Sequence, residues 1–133
     1  MNAPTVVYYD GLCGLCDRAV QFLLARDRAA RLRFAPLQGA TARAAVPEAL
    51  RTPPLATLVV VRDGEVLTRS AAALAALRAI GGAWAMVSRV LGLVPPAIRD
   101  AGYAAIARRR VAWFGRLDAC RLPTPSERER FLD

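Results

Sequence analysis

The stretch Thr5-Val6-Val7-Tyr8-Tyr9-Asp10-Gly11-Leu12-Cys13-Gly14-Leu15-Cys16 joins a β-branched and aromatic run, a polar stop and two cysteines three residues apart. Such side chains suit a buried, pleated strand, and Asp10-Gly11 ends it. Beyond it, Ala19, Val20, Leu23 and Leu24 recur at spacings of three and four, with Asp17, Arg18, Gln21 and Arg28 off that face. The spacing predicts a helix from Cys13 to about Arg28. Leu32 and Phe34 then alternate with arginines up to Pro36, which predicts a second strand over 31–37, parallel to the first after a helical crossover. The stretch therefore opens a βαβ unit and places the cysteines at the start of its helix.

Working outward, the alanine-rich segment 38–50 predicts a second helix that ends before Thr52-Pro53-Pro54. The apolar run 55–62, the turn Asp63-Gly64 and the alternating segment 65–69 predict an antiparallel hairpin. Ser70 is read as the cap of a helix running to Ile80 and stopped by Gly81-Gly82. The order through residue 82 is β-α-β-α-β-β-α, an α/β arrangement with a CxxC opening its first helix, which is the thioredoxin-like plan. Two more helices are expected, over 84–93 and from Pro96 to about Phe114, packing on the sheet or over the active-site edge. Tyr103, Ile106 and Val111 mark an apolar side of the second. A capping box over Ser126 to Glu129 predicts a final turn through Phe131-Leu132. The 133 residues read as one domain, with a core over about 1–82 and a helical extension over about 83–133.

Hydrophobic residues make up 55% of the chain, enough for a core of ordinary size. The net charge of +8 invites a nucleic-acid reading. However, all 19 basic residues are arginine, with no lysine, as expected of GC-rich codon usage. The excess also divides almost evenly among residues 1–35, 36–98 and 99–133, and only Arg108-Arg109-Arg110 is a cluster. A solvated basic face is the simpler reading, and nucleic acid is not the expected partner. No secretory signal leads the chain and no apolar run is long enough to span a bilayer, so a cytoplasmic protein without a transmembrane segment is expected. The absence of histidine removes a histidine base, a Ser-His-Asp triad and imidazole ligands, and the absence of lysine removes a Schiff base. Thiols, carboxylates and arginine remain.

The cysteine pair has three readings. A structural zinc site generally needs four ligands, and the chain offers Cys13, Cys16, Cys120 and a carboxylate. Two ordinary buried cysteines are the second reading, which fits poorly at a strand-to-helix junction. A redox pair is the third, and it has a mechanism. At a helix start the first sulfur meets unpaired backbone N–H groups and the positive end of the helix dipole, both of which favour thiolate. Three residues along a helical turn bring the second sulfur within disulfide reach. Cys13 is then the nucleophile and Cys16 the resolving thiol. Asp10 is either a proton acceptor during resolution or a cap for the turn at Gly11.

These residues resemble the DGxCxxC signature of the DCC family of thiol-disulfide oxidoreductases. Phe34-Ala35-Pro36-Leu37-Gln38, Asp63-Gly64, Ser70-Ala71-Ala72-Ala73-Leu74, Trp113-Phe114-Gly115 and Cys120-Arg121-Leu122-Pro123 with Arg130-Phe131-Leu132 extend the resemblance over nearly the whole chain. The resemblance implies a thioredoxin-like fold and disulfide oxidoreductase activity with no bound cofactor. Its partners are a disulfide-containing protein or small molecule and a thiol or reductase that returns electrons. Compared with thioredoxins, Ala56 stands where a cis-proline faces the CxxC, so the loop through Ala56 and Thr57 must dock substrate differently. Cys120 is either an auxiliary thiol or a packed tail cysteine. A module that binds an anionic partner through Arg108-Arg109-Arg110, Trp113 and Arg116 is the competing class of function.

Overall fold

Four strands form one mixed sheet in the order β2-β1-β3-β4. The computed structural model describes residues 5–10, 14–27, 31–51, 58–114 and 130–132. Strand β1 (Thr5–Tyr9) pairs parallel with β2 (Leu32–Pro36), and helix α1 (Gly14–Arg26) makes the crossover between them. Strand β3 (Val59–Arg62) runs antiparallel to both β1 and β4 (Glu65–Thr68). Asp63 and Gly64 take φ of 51° and 80°, the left-handed pair that a two-residue hairpin with native twist requires. This is the thioredoxin-like plan expected from the sequence.

The period of two along each strand sorts its side chains into two cores. Val7, Tyr9, Leu32, Phe34 and Val60 pack against α1 and helix α4 (Arg69–Ile80). Tyr8, Ala35, Leu37 and Val59 meet Ala42 and Val46 on the other face. A sheet covered on both sides needs strands that are apolar throughout, and Thr5 to Tyr9 and Leu58 to Val61 are nearly so.

The expected single helix over 38–50 is two short ones, α2 (Ala40–Ala45) and α3 (Glu48–Arg51). Pro47 divides them, because the ring disfavours helical backbone in the residue before it, and Val46 is extended at φ −115°, ψ 132°. Ser70 is not a cap. Thr68 occupies the N-cap position of α4 without a side-chain hydrogen bond, and Ser70 instead gives its N–H and hydroxyl to Asp100. That hydroxyl is the main cause holding the Asp100 carboxyl below the usual range.

Helix α5 (Gly82–Leu91) starts two residues earlier than expected, and α6 (Pro96–Phe114) fills its expected span. Both pack chiefly on helices, α5 on α4 and α6 on α4 and α1, since those two already cover that face of the sheet. Trp84 meets Phe22 edge-on at 4.9 Å, and the buried Ser88 hydroxyl donates to the Leu74 carbonyl at 2.9 Å. Of the expected apolar side of α6, Tyr103 is half-buried but Ile106 is half exposed, and the Val111 side chain lies outside the described residues.

The capping box over 126–129 also lies outside the described residues. Phe131 is a strand-like partner rather than part of a helical turn: it bridges Phe34 in parallel, with the Leu132 N–H on the Phe34 carbonyl at 2.7 Å. Its ring centroid sits 5.5 Å from that of Phe34, so the tail covers the free edge of β2. Arg130 locks this arrangement. Its guanidinium pairs with Asp27, whose side chain is 0% exposed, and its Nε donates to the Leu32 carbonyl at 3.1 Å. Asp27 also accepts the N–H groups of Arg31 at 3.1 Å and Leu32 at 2.8 Å.

Candidate active site

The carboxyl ends of β1 and β2 lie side by side, the edge at which open α/β sheets place their ligands. The register pairs Tyr9 with Pro36, and the Leu37 N–H donates to the Tyr9 carbonyl at 2.7 Å. The next residue on each chain is then Asp10 on one side and Gln38 on the other. Asp10 is only 3% exposed, and Gln38 Nε2 donates to its Oδ1 at 2.9 Å. A buried carboxyl group needs such a partner, so the segment that follows β2 supplies part of the shell that keeps Asp10 at this junction.

Cys16 stands in the first turn of α1, half-buried, and packs against the larger core. Its sulfur-bearing side chain forms one wall of an apolar cavity of about 230 Å³. Among the described residues, Ala19 of α1, Leu58 at the entry to β3, Ala73 of α4, and Tyr103, Ile106 and Ala107 of α6 form the rest of the wall. The small residues on α1 and α4 leave the space, and α6 roofs it. A thiol beside an apolar cavity suits exchange with a disulfide carried by an apolar group, which the cavity wall can hold.

Tyr103 brings a hydroxyl to the cavity wall. Its hydroxyl accepts the Leu58 N–H at 2.8 Å and so ties the C-terminal extension to the start of β3. Tyr103→Phe leaves that donor without this acceptor and is expected to lower stability by about 1 kcal/mol in chemical denaturation. A loss under about 0.3 kcal/mol would show that water satisfies the N–H equally well.

Of the residues singled out in the sequence, Asp10 and Cys16 are placed at the two sides of the β1–α1 junction. Cys13, Gly11, Ala56, Thr57 and Cys120 lie outside the described residues. Arg108 and Arg109 are exposed on α6, with Arg109 5.9 Å from the Trp113 ring, and Arg116 lies outside the described residues. Among the described residues no helix is long and apolar enough to cross a membrane. Sequence reasoning missed Gln38 as Asp10's partner, although the parallel β1–β2 pairing it expected brings the segment after β2 close to the end of β1. It read Tyr103 only as an apolar-face residue, and nothing local marks which backbone N–H its hydroxyl meets.

A family model described as DCC1-like thiol-disulfide oxidoreductase matches residues 7–116. The uncharacterized protein YuxK of Bacillus subtilis is 38% identical over 128 residues, covering 96% of this chain and 93% of that protein. A chloroplastic DCC family protein of Arabidopsis thaliana is 30% identical over 118 residues, covering 88% of this chain and 69% of its own length. No solved structure matches the chain significantly.

Proposed function

Because the chain belongs to the DCC1-like thiol-disulfide oxidoreductase family, we propose that it is a protein-disulfide reductase in which Cys13 attacks and Cys16 resolves. The Cys13 thiolate attacks one sulfur of a substrate disulfide. The other sulfur leaves as a thiolate and takes a proton, and a mixed disulfide remains. Cys16 then loses its proton to Asp10 and attacks the Cys13 sulfur, which releases the second substrate thiol and leaves a Cys13–Cys16 disulfide. Two electrons from an external thiol or reductase return the pair to the reduced state. The observation that carries this reading is Cys16 in the first turn of α1, bordering an apolar cavity, with a buried carboxylate at the strand end that feeds the same turn.

The test is a redox titration of the protein in dithiothreitol buffers, with free thiols trapped by alkylation and counted by mass. A reversible two-electron transition that maps to Cys13 and Cys16, and survives Cys120→Ser, is expected. If no Cys13–Cys16 disulfide forms under oxidising conditions, the reductase assignment fails.

A further inference from the structure

Helix α5 buries a serine and leaves a methionine and two valines outside. The Ser88 hydroxyl bonds to the Leu74 carbonyl of α4, while Met86 and Val90 are each 57% exposed. At about 3.6 residues per turn, Met86, Val87, Val90 and Leu91 fall within an arc of about 140°, and all four are exposed. The arc cannot turn inward, because Ser88 on α4 and Trp84 on Phe22 hold the other side of the helix. The apolar surface continues into the turn that follows. Leu93 is 84% exposed there, and the turn is fixed: its N–H donates to the Val90 carbonyl and that of Val94 to the Leu91 carbonyl, both at 3.1 Å. Ile98, in the first turn of α6, is 64% exposed. A helix held only by burial of its apolar side would carry such side chains inward, and a run of them outside marks a surface that meets something other than water.

The charges around this surface indicate what it meets. Every exposed residue described between Gly82 and Trp113 is apolar, a glycine or an arginine, the arginines being Arg89, Arg108 and Arg109. The one acid of that segment, Asp100, is turned onto the Ser70 N–H and hydroxyl of α4. Arg89 follows Met86 by three residues and so borders the apolar arc. Alkyl groups edged by cations and free of carboxylates complement an anionic bilayer, which offers acyl chains beneath a layer of phosphates. They do not complement a second copy of the same face, since across a two-fold interface the arginines would meet only like charge.

We propose that the outer side of α5, the turn at Leu93 and the first turn of α6 form a face that lays the protein on an anionic lipid bilayer. Val90, Leu93 and Ile98 enter the boundary between headgroups and acyl chains, and the Arg89 guanidinium pairs with lipid phosphate. The protein rests on the surface and does not cross it, as no helix among the described residues is long and apolar enough to do so. None of these residues lines the cavity at Cys16, so the attachment does not depend on the thiol chemistry.

The experiment is flotation of the full chain, under reducing conditions, with vesicles of phosphatidylcholine alone and of equal parts phosphatidylcholine and phosphatidylglycerol, together with sedimentation in the absence of vesicles. Binding to the phosphatidylglycerol vesicles at least about tenfold stronger than to phosphatidylcholine alone is expected. Leu93→Ser should weaken that binding about tenfold and Arg89→Gln about fivefold. Both side chains are exposed, so the melting temperatures should match the wild type. Val66→Thr, at an exposed apolar position on β4, should bind like the wild type. Equal recovery with the two vesicles, or none with either, would overturn the proposal. Binding that salt abolishes and Leu93→Ser leaves untouched would show adsorption by net charge alone and overturn it as well. A dimer in solution that Leu93→Ser dissociates would assign the face to self-association, and equally strong binding of soluble polyglutamate, weakened by the same substitution, would assign it to an acidic polypeptide; either result replaces the bilayer as its occupant.

Discussion

Cys16→Ser is expected to stop turnover while still consuming one equivalent of substrate disulfide, which it holds as a mixed disulfide on Cys13. The serine removes the attacking sulfur of the second step and leaves the first step intact. Cys13→Ser should abolish both steps and capture nothing. Intact-protein mass spectrometry after exposure to a peptide disulfide separates the two: an added peptide mass on Cys16→Ser, none on Cys13→Ser, and none in steady state on the wild type. The reverse pattern, with capture on Cys13→Ser, would exchange the roles of the two sulfurs. Asp10→Asn refines the picture. As a proton acceptor for Cys16, Asp10 contributes about 100-fold to resolution, so the variant should accumulate the mixed disulfide at near-normal stability. Were Asp10 only a cap, the variant would lose stability and keep its rate.

Asp27→Ala is expected to lower the free energy of unfolding by about 3–5 kcal/mol, seen as a lower urea midpoint at unchanged slope. Asp27 is buried and joins three separate pieces of chain: the end of α1, the start of β2 through two backbone N–H groups, and the tail through Arg130. Its loss leaves the Arg130 charge and both N–H groups without that acceptor, and it frees the segment that covers the edge of β2. Asp27→Asn, which keeps an oxygen for the backbone but loses the ion pair, should fall between the wild type and Asp27→Ala. A shift under about 1 kcal/mol for Asp27→Ala would mean that the strand edge is held by Phe131 and the Leu132 N–H alone.

The sequence by itself determined the elements whose cause is local. The apolar run before Asp10-Gly11, the three-and-four spacing after Cys16 and the Asp63-Gly64 turn specify β1, α1 and the hairpin, because each rests on propensity or on a backbone conformation that few residues tolerate. The helical crossover then implied that β1 and β2 run parallel, and so that both end at the edge where Asp10 lies. The helix over 38–50 was legible in composition but not in extent, since one proline outweighs the alanines around it. Tertiary structure alone decided the polar partners. Ser70 could cap its own helix or bond to a distant carboxylate, and Asp100 won because packing α6 on α4 brings it within reach. Gln38 on Asp10, Tyr103 on Leu58 and Arg130 on Asp27 follow the same logic. Hydrogen bonds and ion pairs between residues far apart in the chain leave no periodic trace in sequence, because they are fixed by where the apolar faces pack and not by the polar residues themselves.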